Sequence, residues 1–414
     1  MNFTNDKANR TPLQDNVFRI ASLAKEDAKV NGDLVINATV GSLCDEDSKL
    51  ATLDSVYESY DSVPDRVKAS YSPFIKGDPE YLKAVYEWAL QGHASGLHHA
   101  QVATSGGTGA VSAALSAAAN EDDAILIPEI AWGSYKIMND YFNLRTLSYP
   151  LFKDDRFDTE SFEELCVKTA KEQGRLTVII NDPCQNPTGY CMTKEEWEDV
   201  VQILNKASAF GPVILVNDIA YIDYMHDLSH SRDHFDTLEG LCENVAVIVA
   251  FSCSKSLTSY GMRLGAAIIL SKNEGAVKEL EDVMERYARS VWSNVNNGFM
   301  NAFVSLMKNR KEEYLAQKDV YIRLLEKRAK IFTEEAKEAD LPCYPYKDGF
   351  FVTVKAEDPK FRDAYHNALM AHHIYTVKVN KGIRVALCSL NVQNAHGLAK
   401  EMKKIAEELK TSAI

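Results

Sequence analysis

The chain has 414 residues with 46 Lys plus Arg against 59 Asp plus Glu, a formal net charge of −13. That balance argues against a nucleic-acid partner, which wants a basic face. With 46% hydrophobic and 25% charged residues, 20 glycines and 12 prolines, the chain is neither disordered, nor fibrous, nor a disulfide-dense mini-domain.

At roughly 150 residues per domain the length predicts two or three domains. The opening residues, MNFTNDKANR, place no apolar run behind a basic head, so no secretory leader is expected. The longest apolar runs, such as NVAVIVAF at 244–251, fall far short of the roughly 20 residues of a spanning helix. The eight cysteines are scattered and form no C-x-x-C pair, which predicts free thiols in a reducing, cytoplasmic setting and no zinc ribbon.

Short Val- and Ile-rich runs recur at 124–127, 177–180, 213–216, 246–250 and 266–270. They are too short for helices and read as strands buried on both faces. Between most of them lie helical patterns. One of these, 193–207, opens with Thr193 and Glu196 at capping-box spacing. Such alternation predicts a three-layer α/β/α architecture around a mostly parallel sheet with right-handed crossovers. After about residue 300 the pattern changes. Residues 303–339 are charged with a helical period, followed by strand candidates 350–354 and 383–388 and a terminal helix at 395–410. This predicts a second, smaller α+β unit, joined to the first by a long shared helix.

Four segments carry the chemistry. Residues 104–109 (TSGGTG) precede an Ala-rich helix, so glycines and exposed N–H groups at a helix start form an anion cradle. No Lys follows as in a Walker A loop, and the third glycine of a dinucleotide fingerprint is missing. Residues 181–189 (NDPCQNPTG) follow a strand and read as a turn. In NDIAY (217–221), Asp218 ends another strand, where open α/β sheets bind ligands. In SCSKSLTSYGMRLG (252–265), Ser252, Ser254, Lys255 and Arg263 gather after a strand. A desolvated lysine beside another cation becomes a nucleophilic amine. Arg384 sits at the start of strand 384–388, where an inward guanidinium would clamp a carboxylate. Each signal alone is weak. Together they are what pyridoxal phosphate chemistry needs: a phosphate cradle, an acid for the pyridine nitrogen, an amine for the aldehyde and a carboxylate clamp.

With these motifs in this order, the chain resembles a fold-type I, class I pyridoxal phosphate-dependent aminotransferase of the aspartate/aromatic group, from about residue 36 to about residue 390. The resemblance implies the following roles. Lys255 forms the Schiff base and shuttles the α-proton. Asp218 partners the pyridinium nitrogen, and Tyr221 and Asn186 bond the phenolate oxygen. Gly107, Thr108, Ser252 and Arg263 contact the phosphate, joined by Tyr71 (ASYSPFIKG) from a neighbouring subunit. Trp132 (IAWG) stacks on the ring. Arg384 clamps the α-carboxylate, Gly41 (NATVGSL) lies on the substrate-side N-terminal segment, and Arg289 (ARSVWSN) takes a distal carboxylate across a homodimer. Tyr135 and Asn181 stand where histidines are usual, and Val295 and Asn296 replace a usual Pro-Pro. The implied domains are 50–310, binding the cofactor, and a discontinuous small domain of 1–49 and 311–414.

The expected function is amino transfer between an L-amino acid, aspartate or aromatic, and a 2-oxo acid such as 2-oxoglutarate, in two covalent half-reactions. A lyase or β-decarboxylase would use the same residues. A non-catalytic pyridoxal phosphate regulator is disfavoured because residues 1–35 leave no room for a nucleic-acid-binding domain. A nicotinamide-dependent dehydrogenase leaves Lys255 and Arg384 unexplained. No metal is expected: His226, His230 and His234, spaced four apart and able to share a helix face, lack an H-E-x-x-H context. His98–His99 and His372–His373 read as surface pairs.

Overall fold

The computed structural model describes residues 3–13 and 16–412. Its centre is a seven-stranded sheet built from β1 (His98–Thr104), β2 (Ala124–Pro128), β3 (Arg145–Tyr149), β4 (Leu176–Asn181), β5 (Val213–Asp218), β6 (Val245–Ser252) and β7 (Gly265–Ser271), in the order β1-β7-β6-β5-β4-β2-β3. All five apolar runs are strands. Their side chains alternate between two buried layers: Val178, Leu215, Val247 and Ile268 face one, Ile179, Val216, Ile248 and Ile269 the other. Both faces are covered, which is why these strands read as continuous apolar runs.

The sheet is mostly parallel, as expected, with one exception. Strand β7 is antiparallel to both its neighbours, β1 and β6, while the other strands share one direction. The link Cys253–Leu264 from β6 holds only a one-turn helix and a 3-10 turn, so it lacks the helical crossover that a parallel return needs. Strands β1 and β3 escaped the sequence reading because they form the sheet edges and keep polar, partly exposed residues (HHAQVAT and RTLSY).

The capping box is present: Glu196 N donates to Thr193 Oγ1 at 3.2 Å, and Thr193 N donates to Glu196 Oε2 at 2.8 Å. The region 303–339 is not one helix. A helix over Asn297–Asn309 breaks at Arg310 and a second, Lys311–Glu338, follows. Tyr314 of this long helix belongs to the core beneath the large sheet, while Ile322, Leu325 and Phe332 belong to a second core with Ala38, Leu43, Val352, Val385 and Ile405. That core covers a three-stranded antiparallel sheet of β8 (Phe351–Lys355), β9 (Val377–Val379) and β10 (Gly382–Ala386), order β8-β10-β9. β10 ends two residues before the expected limit, turning into a 3-10 helix at Leu387–Ser389, so Arg384 lies mid-strand rather than opening it. The terminal helix starts later than expected, at Leu398.

The three spaced histidines share no helix face. His226 pairs with Asp348, His230 with Asp233, and buried His234 packs on Trp197. His99 stacks on Tyr86 and His373 bonds Asp27. Among the described residues no helix is long and apolar enough to cross a membrane.

Candidate active site

The register sets Asn181 beside Asp218, Asp218 beside Ala250, and Gly265 beside both Ser252 and Thr104. The ends of β1, β4, β5 and β6 therefore form one rim at the carboxyl edge of the parallel strands, the usual ligand position in open α/β sheets.

At the β1 end the helix Gly106–Ala118 begins. Its N-cap residue, Ser105, makes no side-chain cap bond, which leaves the N–H groups of the first turn open to an anion. Gly106 has φ +70°, and a Cβ there would stand 2.6 Å from Arg263 Nη2. A Cβ on Gly107 would stand 3.1 Å from Ser252 Cβ. Glycine is required for both the conformation and the approach of Arg263. Arg263 Nη1 donates to Ser254 Oγ at 3.2 Å and Nη2 to Ser105 O at 3.3 Å. Gly106 and Gly107 thus meet Arg263 and Ser252 at the helix start, with Thr108 next in the first turn.

Asp218 is buried. Its Oδ2 accepts from Tyr135 Oη at 2.6 Å and its Oδ1 from Ala220 N at 3.0 Å. Burial pushes its carboxyl up, opposed by the Tyr135 and Ala220 bonds and by Lys255. Tyr135, standing where a histidine is usual, supplies a donor to Asp218 itself. Trp132 packs edge-on against Tyr135, centroids 5.3 Å apart. Asn181 Nδ2 donates to Asp218 O at 2.8 Å, and Asn181 Oδ1 accepts from Asn186 N at 2.7 Å, tying two turns together. Asn186 Nδ2 reaches Tyr221 Oη at 3.5 Å.

Lys255 Nζ donates to Gly41 O at 2.6 Å and lies 4.7 Å from the Tyr260 ring and 5.5 Å from the Tyr221 ring. Burial, then the Arg384 and Arg263 charges, lower its amine to about 8 against the opposing pull of Cys388 and Asp218. A Cβ on Gly41 would meet the Phe351 ring at 2.8 Å and Lys255 Nζ at 3.9 Å. Arg384 is buried near Lys255, with Nη2 donating to Thr39 O at 2.7 Å and Nη1 to Asn186 Oδ1 at 3.3 Å. Its Cζ sits 4.3 Å over the Phe351 ring. Its Nε is buried without a hydrogen-bond partner, a donor awaiting an acceptor.

Two expected residues lie apart from this group. Tyr71 is 82% exposed, and Arg289, exposed in the last turn of the helix Glu274–Val291, donates to Ser293 Oγ at 2.6 Å. Sequence reasoning missed Tyr260, whose hydroxyl accepts from Leu43 N at 2.9 Å, and Thr39, whose carbonyl holds Arg384. Tyr260 lies inside the Lys255–Arg263 segment, so its spacing was a usable signal. Thr39 acts through its backbone and left none.

The lowered amine has a testable consequence. A pKa of about 8 leaves about a tenth of Lys255 neutral at pH 7, against about one in 3,000 for an ordinary lysine. In cofactor-free protein, trinitrobenzenesulfonate labelling of Lys255, followed by mass spectrometry, is expected to rise with pH through a midpoint at about 8 and to level off by about pH 9 to 10. A rise continuing past pH 10 refutes the lowered affinity.

The chain is similar to proteins of known family. The model of the family Aminotransferase class I and II matches residues 34–402, so the chain belongs to that family. Members are pyridoxal phosphate-dependent enzymes of fold type I. Among solved structures, an aminotransferase from Anaerococcus prevotii superposes with TM-score 0.92 at 30% identity over 99% of both chains. The aromatic-amino-acid aminotransferase of Burkholderia pseudomallei, covalently bound to pyridoxal phosphate, shares the fold at TM-score 0.78 and 19% identity, covering 96% of this chain and 98% of that one. The aromatic-amino-acid aminotransferase of Paracoccus denitrificans is 29% identical over 208 residues, 50% of this chain and about half (51%) of its own length. The aspartate aminotransferase of Escherichia coli is 25% identical over 286 residues, 68% of this chain and 69% of its own.

Proposed function

We propose that the protein is a pyridoxal phosphate-dependent aminotransferase acting between aspartate or an aromatic L-amino acid and a 2-oxo acid such as 2-oxoglutarate. The observation that carries this reading is the gathering of Lys255, Asp218 and Arg384, whose charges act on one another, at the sheet rim beside an open helix start. The residues fit the cofactor. The glycine cradle at 106–107, which a Cβ would fill, matches a phosphate, and the partnerless Arg384 Nε matches a carboxylate.

Gly107, Thr108, Ser252 and Arg263 would hold the phosphate, and Lys255 would hold the cofactor through Nζ. Asp218 would keep a proton on the ring nitrogen, with Tyr135 fixing the carboxylate. Tyr221 and Asn186 would meet the phenolic oxygen, and Trp132 would stack on the ring. When bound, pyridoxal phosphate supplies an electron sink conjugated to the substrate α-carbon. Lys255 Nζ then takes the α-proton and returns it, which its lowered basicity suits near neutral pH. Arg384 orients the α-carboxylate, and Gly41 leaves room beside Phe351.

The exposure of Tyr71 and of Arg289 supports a homodimer in which the partner's Tyr71 reaches the phosphate and its Arg289 the distal carboxylate. The two cores support a cofactor-binding unit of 50–310 and a small unit of 1–49 and 311–414, sharing the helix Lys311–Glu338. Eight free cysteines suit a cytoplasmic enzyme.

The test is to load the protein with pyridoxal phosphate, add single amino acids and follow the visible absorbance. Aspartate or an aromatic amino acid, and glutamate, are expected to bleach it and release the matching 2-oxo acid. Sedimentation is expected to show a dimer. Decarboxylated or eliminated products would replace this reading with a lyase, and a fully active monomer would remove the dimer.

A further inference from the structure

Beneath the Lys255 turn lies a group of buried charges with no part in the reading above. Asp223, Arg232 and Lys318 are each no more than 2% exposed. Arg232 Nη2 pairs with Asp223 Oδ1, Trp88 Nε1 donates to Asp223 Oδ2 at 3.0 Å, and Lys318 Nζ stands 3.9 Å from that oxygen. Against burial, which raises it, the Arg232 and Lys318 charges hold Asp223 down to about 2. Burying three ions is costly, and apolar side chains of similar volume often serve stability better. Their arrangement therefore calls for a use.

The cluster's donors point at the backbone of the reacting lysine. Lys318 Nζ donates to Ser256 O at 2.5 Å and Tyr314 Oη donates to the same oxygen at 2.7 Å. Tyr224 Oη donates to Lys255 O at 2.9 Å, and Lys318 Nζ lies 4.4 Å over the Tyr224 ring. The helix Cys253–Ser256 is a single turn in which Leu257 N donates to Cys253 O at 2.9 Å, Ser259 N to Ser254 O at 3.1 Å and Thr258 N to Lys255 O at 3.1 Å, while Ser256 O, at its end, takes the side-chain donors Lys318 and Tyr314. Tyr314 and Lys318 are four apart on the long helix and share a face. Asp223 and Tyr224 belong to the 3-10 turn directly after Tyr221. The cluster thus ties the lysine turn to the turn that carries Asp218 and Tyr221.

We propose that Lys318, Tyr314 and Tyr224, with Asp223 and Arg232 anchoring Lys318, are positioning residues that clamp the carbonyls of Lys255 and Ser256 and so set where the Lys255 amine reaches. This rests on the aminotransferase reading. A displacement of about 1 Å at a reacting group costs about a hundredfold in rate, so two side chains on one carbonyl act as a pair.

The test uses the full-length protein with pyridoxal phosphate. Tyr314→Phe is expected to lower kcat about threefold and Lys318→Met about tenfold. The double variant is expected to lose about a hundredfold, more than the product of the singles, with KM for the amino acid within about twofold of wild type. The cofactor-free double variant, mixed with pyridoxal phosphate, is expected to develop visible absorbance about tenfold more slowly. Should Lys318→Met fail to fold by near-ultraviolet circular dichroism, Tyr224→Phe/Tyr314→Phe, which keeps every ring and ion, carries the same test, with about a tenfold loss expected in both readouts. Folded variants that match wild type in kcat and in the rate of absorbance growth overturn the proposal. A wild type that neither transfers amino groups nor develops the absorbance overturns the aminotransferase reading instead.

Discussion

Lys255→Ala is expected to lower amino transfer by at least about a thousandfold while leaving the fold intact. The side chain does two jobs in the proposed reaction: it holds the cofactor and it moves the α-proton. Loss of a general base alone costs about 10²- to 10⁴-fold. The structural cost runs the other way. Lys255 binds its proton less tightly in the folded chain, at about 8, than the 10.5 of a free lysine. A lowered lysine carries a folding penalty that is fully present below pH 8 and fades as pH rises toward 10.5. That penalty is of the order of 3 kcal/mol at most, reduced by the partial exposure of the group. At pH 7 the alanine variant is therefore expected to melt no lower than wild type, the freed Gly41 carbonyl being offset by removal of a buried charge. Transamination within tenfold of wild type in steady-state assays would remove Lys255 from the chemistry.

Arg384→Leu is expected to reduce kcat/KM about 30- to 5,000-fold for amino acid and 2-oxo acid alike. Truncating one partner of a buried, hydrogen-bonded charge pair costs about 2–5 kcal/mol. Most of the loss should fall in KM for both substrates, because Arg384 meets the part they share. Arg384→Lys is not expected to rescue, since an ammonium lacks the planar fork that grips a carboxylate. Stability should also fall by about 1–3 kcal/mol, because Thr39 O and Asn186 Oδ1 lose their donor. Comparing kcat/KM with the melting temperature separates the two losses. A folded Leu variant within threefold of wild type in kcat/KM would show that the guanidinium does not bind substrate.

The site was legible where chemistry depends on residue type in a short segment. Gly106 and Gly107 before a helix, Asp218 at a strand end, and Lys255 with Arg263 in one turn are local patterns, and the rim of the sheet assembles them. The edge strands His98–Thr104 and Arg145–Tyr149 were not legible, because partial solvation removes the continuous apolar run that marks a buried strand. The reversal of β7 was not legible either, since strand direction depends on the connection and not on the strand's own residues.

Composition, strand periodicity and motif order by themselves determined the α/β class and singled out a candidate anion cradle and a candidate reacting lysine, because each is a property of neighbours in the chain. Only the tertiary structure decided what surrounds those groups. Tyr135 lies 83 residues from Asp218 yet supplies its hydrogen bond, and Thr39 lies 345 residues from the Arg384 it holds. Lys318 reaches Ser256 across 62 residues. Such partners are chosen by packing, which brings together side chains and carbonyls that no local spacing connects, and the lowered affinity of Lys255 for its proton follows from that burial.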